Sequence, residues 1–158
     1  MQQQKSATLT AIFSDVLANL AFMFTDDEDS HSEANGVWSE ASIEYYGCVN
    51  GALRLVYPEA FAIELAANLL GTDPGCEDAE SQAGDAVKEL MNIVCGQLVT
   101  ALHGTEAVFN LSIPRVRVLP EAPTFSGEEN ENICTLCVSG RRTQISLIPS
   151  SGCAPSDA

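Results

Sequence analysis

Basic residues are scarce in this sequence. Of its 158 residues, 7 are Lys or Arg and 22 are Asp or Glu, so the formal net charge is −15. Nucleic-acid phosphates and anionic membrane surfaces are both bound through clustered Lys and Arg. The composition therefore predicts no nucleic-acid partner and no membrane partner.

Long apolar runs are also missing, since no segment reaches the roughly 18 apolar residues of a transmembrane helix. The apolar stretch after Lys5 is interrupted by Asp15 and Asn19, and its apolar residues recur at intervals of three and four. This spacing is typical of an amphipathic helix, here over about residues 8–24, and not of a cleaved leader. We expect a cytoplasmic protein.

Metal, redox and nucleophile signatures are incomplete. Cys134 and Cys137 form a single Cys-x-x-Cys among six cysteines. The surrounding residues are typical of a strand, on which residues three apart point to opposite faces. No second pair completes a zinc site, and neither a phosphate loop nor a nucleophile elbow is present. We predict buried thiols and no metal or cofactor of the protein's own, with zinc or redox sensing as the less favoured alternative.

Apolar periodicity predicts the order helix, two strands, two helices, three strands. Strands are expected over 37–46, 53–57, 108–119, 132–138 and 143–148, with helices over 58–70 and 79–103 after the N-terminal helix. The fold class is α+β: a largely antiparallel sheet packed against two long helices plus an N-terminal helix. We expect one domain over residues 1–149 and a disordered tail over 150–158.

The helix over 79–103 carries the candidate site. At about 100° per residue, its apolar residues share one arc: Val87, Leu90, Met91, Val94, Leu98, Ala101 and Leu102. The opposite side carries Asp85, Glu89, Asn92, Gly96, Thr100 and His103. A glycine inside a helix costs about 1 kcal/mol relative to alanine. Gly96 therefore indicates either close approach of another molecule or packing beneath another element of the same chain.

Glu89 and Asn92 are three residues apart, so their side chains are neighbours on the solvent side. Hydrolysis of an acyl phosphate requires in-line attack by a positioned water. A carboxamide suits that task because it is neutral and both donates and accepts hydrogen bonds. A carboxylate beside it can pair with a lysine in a partner's site. Spacing alone favours an ordinary polar face, because this pair of residue types at this spacing occurs on very many helices.

Three segments carry a family resemblance: Gly51-Ala52-Leu53-Arg54-Leu55, Pro58-Glu59 with Ala66-Ala67-Asn68-Leu69-Leu70-Gly71, and Glu89-Leu90-Met91-Asn92-Ile93-Val94-Cys95-Gly96. Together with Ile113-Pro114-Arg115-Val116, they make residues 47–119 resemble the CheX chemotaxis phosphatases, relatives of CheC and FliY. The central family motif is Glu-x-x-Asn followed by an apolar pair and a glycine on a long helix.

The resemblance implies that this helix enters the active site of a phosphorylated CheY-like response regulator. Asn92 would then orient the attacking water and Glu89 would engage the receiver's lysine. Asp85, Gly96 and Thr100 would contact the partner. Magnesium would belong to the receiver. The resemblance also implies a homodimer in which sheets join edge to edge, with the hairpin over 132–148 as the candidate edge.

Two positions depart from the family pattern. Val99 stands where lysine is common, and Gln97 stands where asparagine is common. These departures leave a second hypothesis open: a non-catalytic module that docks a receiver domain or a flagellar-switch component. Asp15 and Asn19 are four residues apart, so the first helix does not repeat the motif as it does in CheC.

Overall fold

The computed structural model describes residues 2–26, 36–123 and 133–149, with side chains from residue 7 onward except that of Asp26. Over these ranges it contains three helices and seven strands. They are, in chain order, α1 (Gln2–Ala21), β1 (Thr25–Asp26), β2 (Trp38–Tyr46), β3 (Gly51–Pro58), α2 (Glu59–Leu70), α3 (Glu77–His103), β4 (Asn110–Leu111), β5 (Arg115–Val118), β6 (Ile133–Val138) and β7 (Arg141–Pro149). The tail predicted over 150–158 lies outside the described residues.

The strands form one sheet in the order β1-β6-β7-β3-β2-β4, and β5 also pairs with β2. Every pairing among the described strands is antiparallel. The α+β class with an antiparallel sheet is therefore confirmed. The predicted strand over 108–119 is two short strands, because the chain leaves the ladder at Ile113-Pro114 and proline has no N–H to donate to it.

One face of the sheet packs against all three helices. Alternate residues of β2 and β3 point into a single core: Ala41, Ile43, Tyr45, Leu53, Leu55 and Tyr57. The same core takes residues from α1, α2 and α3, so each helix is held against the sheet by its apolar side.

The first helix ends three residues earlier than the spacing predicts. Phe22 has a φ of 54°, and its backbone N–H donates to the carbonyl oxygen of Ala18. The side-chain amide of Asn68, from α2, donates to the carbonyl oxygen of Ala21 at 2.8 Å. The end of α1 is thus set partly by a side chain 47 positions away, which periodicity within α1 does not report.

The other helix ends follow the sequence signals. Pro58 precedes α2, and Gly71 ends it in the left-handed region with a φ of 70°. Gly104 ends α3, and its N–H donates to the carbonyl oxygen of Thr100 at 2.8 Å. Three acidic residues occupy the first turn of α3, where the helix dipole favours negative charge.

The C-terminal hairpin is tighter than predicted. A four-residue turn is expected, but only Ser139 and Gly140 separate the strands, with φ values of 49° and 80°. Two consecutive positive φ values are typical of the two-residue hairpin turn that matches strand twist. Among the described strands β7 is interior, between β3 and β6, and β1 lies outside part of β6, so within the predicted hairpin only β6 reaches the edge that the resemblance implies. β1 pairs with β6 only at Cys137 and Val138.

Cys134 and Cys137 lie on opposite faces of β6, as strand geometry predicts. Cys134 belongs to the core between sheet and helices, whereas Cys137 is buried outside that cluster. Within residues 2–26, 36–123 and 133–149, no group of three or more His, Cys, Asp or Glu side chains is arranged to hold a metal ion. No helix in those ranges has the length and apolarity to cross a membrane.

Candidate functional site

The core side of α3 orients the candidate site. Val87, Leu90, Met91, Val94 and Leu98 are all fully buried, as predicted. Leu102 is partly buried against the core, but Ala101 is exposed, so the predicted place of Ala101 in the core is wrong. The last turn of α3 also contacts the loop that follows it. The ring centroids of His103 and Phe109 are 5.2 Å apart.

The opposite side of α3 faces solvent. Asp85, Glu89, Asn92 and Thr100 are exposed, and Gly96 is partly exposed between them. The structure thus brings all five predicted site residues onto one face. Among the described residues, the side chains of Glu89 and Asn92 make no hydrogen bond or ion pair, so both remain available to another molecule.

Gly96 has open space in front of it. Apart from its chain neighbours and the surrounding backbone of α3, a Cβ built at this position meets no heavy atom of the described residues within 4 Å. The sequence allowed two explanations for this glycine: close approach of another molecule, or packing beneath another element of the same chain. Among the described elements the second explanation is wrong, because none packs over Gly96. A partly exposed glycine that no described residue packs against is consistent with close approach by a partner.

Two ridges run along this face, each with a spacing of four residues. The first contains Asp85, Glu89, Ile93 and Gln97, and the second contains Asn92, Gly96 and Thr100. The side chain of Thr100 is oriented along the second ridge, because its hydroxyl donates a hydrogen bond to the carbonyl oxygen of Gly96 at 2.9 Å. Glu89 and Asn92 therefore lie on adjacent ridges with Gly96 one turn beyond Asn92.

A groove lies between α1 and α3, and Ile93 and Gln97 of the first ridge line one of its walls. Its volume is about 230 Å³, and its lining consists of Asp15, Val16, Asn19, Leu20, Ile93 and Gln97. Sequence reasoning did not include Ile93 and Gln97 in the site. The four-residue spacing from Glu89 could have found them, but nothing in the sequence indicates that α1 forms the other wall.

The two departures from the family pattern occupy different environments. Val99 is only 6% exposed and belongs to the core. Gln97 is exposed and lines the groove. Val99 therefore contributes nothing to the exposed face of the site, whereas Gln97 occupies a surface that another molecule can contact.

The fold is that of CheX- and CheC-like chemotaxis proteins. A CheX from Desulfovibrio desulfuricans superposes with a TM-score of 0.68 at 16% identity, covering 93% of this chain and 99% of that one. A CheX from Vibrio vulnificus gives a TM-score of 0.67 at 21% identity, covering 95% of this chain and 99% of that one. At these identities the likeness establishes the fold alone.

The family assignment comes from the sequence. The family profile described as chemotaxis phosphatase CheX matches residues 39–132, and this chain belongs to that family. A comparison with curated protein sequences gave no match. A further similar structure is the CheX–CheY–BeF3–Mg²⁺ complex from Borrelia burgdorferi, with a TM-score of 0.58 at 18% identity, covering 92% of this chain and 97% of that one.

Proposed function

We propose that this protein is a phosphatase that removes the phosphoryl group from the aspartate of a CheY-like response regulator. The observation that carries the proposal is the exposed pair Glu89 and Asn92 on α3, neither held by any described residue of its own chain, beside the open surface of Gly96. Family membership and the Borrelia CheX–CheY complex support the choice of partner.

The proposed reaction needs one water. The water oxygen attacks phosphorus in line, the bond between phosphorus and the aspartyl oxygen breaks, and its electron pair returns to the carboxylate. The products are a free aspartate and inorganic phosphate, which takes up both protons of the water. Magnesium held by the receiver neutralises charge on the phosphoryl oxygens.

Asn92 is proposed to position that water. Its carboxamide can accept a hydrogen bond from the water and donate one to a phosphoryl oxygen without changing charge. A positioned nucleophile removes much of the entropic part of the barrier, and a small misplacement can cost about 100-fold in rate. Because Asn92 is exposed on a helix that is buried along its other side, the carboxamide is presented from a rigid support.

Glu89 is proposed to hold the receiver in register. Glu89 is three residues before Asn92 on the same exposed face, where its carboxylate can pair with the lysine ammonium of the receiver site. Asp85, Gly96 and Thr100 would meet the surrounding receiver surface, with Gly96 allowing the receiver backbone to come close.

The decisive experiment follows the decay of a phosphorylated CheY-like receiver encoded in the same genome, with this protein at substoichiometric amounts. We expect multiple turnovers with wild type and a loss of at least about 100-fold with Asn92→Ala. Glu89→Gln should weaken turnover chiefly through binding, because the ion pair is lost while the shape is kept. Gln82→Ala and Glu80→Gln are matched controls, since both residues are exposed on α3 at least six positions before the pair.

The same experiment separates catalysis from docking. If wild type binds the receiver but leaves its phosphoryl lifetime unchanged, the phosphatase proposal fails and a docking module becomes the better account. If Asn92→Ala turns over as fast as wild type, the phosphatase assignment survives but this site does not.

A further inference from the structure

We infer that the groove between α1 and α3 is a second contact for the receiver and helps to select which receiver is bound. The inference rests on the proposed function and adds α1 to the binding surface. The occupant is an apolar side chain of the receiver, flanked by a basic residue that meets Asp15.

The groove lies further along the same ridge of α3 that carries Glu89. Glu89, Ile93 and Gln97 follow one another on a single ridge, and each step of four residues advances about 6 Å along the helix. The first of these belongs to the proposed site, and the other two line the groove. A receiver domain that contacts Glu89 extends many ångströms to each side, so its surface also lies over Ile93 and Gln97.

The lining of the groove combines an apolar floor with a polar rim. Val16, Leu20 and Ile93 form an apolar floor, and the last two remain partly exposed. Asp15, Asn19 and Gln97 are exposed and make a polar rim in which Asp15 is the only charged lining group. An apolar residue beside a cation complements this surface, because burying the floor is favourable and the cation offsets the carboxylate.

Size argues for a side chain instead of a small molecule. The groove holds about 230 Å³ and is open to solvent, whereas sites for small ligands occupy about 300–1,000 Å³ and enclose most of the ligand. A second copy of this chain in the groove would also cover the ridge that carries Glu89 and block the proposed site. The receiver is therefore the occupant that fits both features.

The test measures binding of the full-length protein to a CheY-like receiver activated with beryllofluoride and Mg²⁺, together with KM and kcat for the phosphorylated form. Gln97→Trp fills the groove from an exposed position, and Asp15→Lys reverses the charge of the rim. Each should raise Kd and KM by about 10-fold or more, while kcat falls far less than in Asn92→Ala. Glu106→Lys is the matched control, because it makes the same charge change at an exposed residue after α3.

The outcomes distinguish this inference from the proposed function. Unchanged Kd and KM in both groove variants, with folding verified by thermal melting, would overturn the groove contact and leave catalysis by Asn92 intact. Groove-dependent binding by a wild-type protein that does not speed dephosphorylation would retain the contact and remove the phosphatase. A weaker salt dependence of Kd in Asp15→Asn supports the predicted cation in the receiver, and an unchanged dependence counts against it.

Discussion

The Thr100 hydroxyl donates a hydrogen bond of 2.9 Å to the carbonyl oxygen of Gly96, one turn earlier on the exposed face of α3. A hydroxyl bonded to the carbonyl four residues back slightly destabilises a helix, and an interior glycine does so by about 1 kcal/mol. Two unfavourable choices therefore follow Asn92 on the same face of α3, about one and two turns further along the helix. Such choices are typical of surfaces kept for function at some expense of stability.

Gly96→Ala should stabilise the fold and impair function. Apart from the surrounding backbone of α3, the added methyl group meets no heavy atom of the described residues within 4 Å, so the protein should gain about 1 kcal/mol in free energy of unfolding. If the receiver approaches as proposed, the same methyl group should raise KM by about 10-fold. Urea unfolding and the dephosphorylation assay check the two effects separately. Full activity in a stabilised variant would show that no close approach occurs there.

Gly47→Ala is the matched comparison. A Cβ at this position would lie 2.6 Å from Cδ1 of Phe109 and 2.8 Å from the carbonyl oxygen of Val108. Overpacking of this kind costs about 1–3 kcal/mol, so this variant should unfold at lower urea than wild type. Equal stability of the two alanine variants would contradict both assignments.

Two leucines of α2 should respond very differently to truncation. Leu65 is 0% exposed and Leu70 is 48% exposed, although they share one helix. Leu65→Ala should lower the free energy of unfolding by about 2–5 kcal/mol, because it leaves a cavity in the core. Leu70→Ala should change it by less than about 0.5 kcal/mol. Urea titrations of the two variants measure both free energies of unfolding. Similar decreases in the two variants would contradict the described packing of α2.

Asn68 should stabilise the end of α1. Its amide donates to the carbonyl oxygen of Ala21 at 2.8 Å, and Asn68→Ala should cost about 1 kcal/mol. Amide hydrogen exchange should quicken in the last turn of α1 more than in α3. Asn68→Asp should not restore stability, because a carboxylate cannot donate this bond. Exchange that stays at the wild-type rate in Asn68→Ala would show that the bond has no role.

Alkaline pH should destabilise the protein through buried weak acids. Burial raises the pKa of the Cys95 thiol from 9.0 to about 12 and that of Tyr57 from 10.0 to about 12. Between the unfolded and the folded pKa, the unfolded chain has released the proton that the folded chain still binds. The free energy of unfolding must therefore fall as pH rises from about 9 to about 12. More than about one pH unit below the unfolded thiol pKa of 9.0, these two groups contribute almost no pH dependence.

Urea midpoints measured from pH 7 upward test this expectation. Cys95→Ala should lose some stability at every pH but show a shallower decline above pH 9. A decline parallel to that of wild type would exclude the thiol as a cause. In the native protein, iodoacetamide should label exposed Cys48 and spare Cys95, and denaturant should abolish the difference.

The sequence predicted the α3 face well because helical periodicity is a local property. The positions of Glu89 and Asn92 follow from 3.6 residues per turn once the apolar stripe is recognised. The same logic wrongly included Ala101, because periodicity does not report how far the neighbouring elements cover the side of the stripe. It also overextended α1, because the side chain that marks its end belongs to α2.

The sequence by itself determined the fold class, the opposite faces of Cys134 and Cys137, and the shared exposed face of Glu89 and Asn92. Each depends only on the rise and rotation of a helix or strand. The tertiary structure alone decided that Gly96 is open to solvent and that α1 forms a groove with Ile93 and Gln97. These features depend on which apolar stripes are buried against each other, and that choice is made by packing over the whole core.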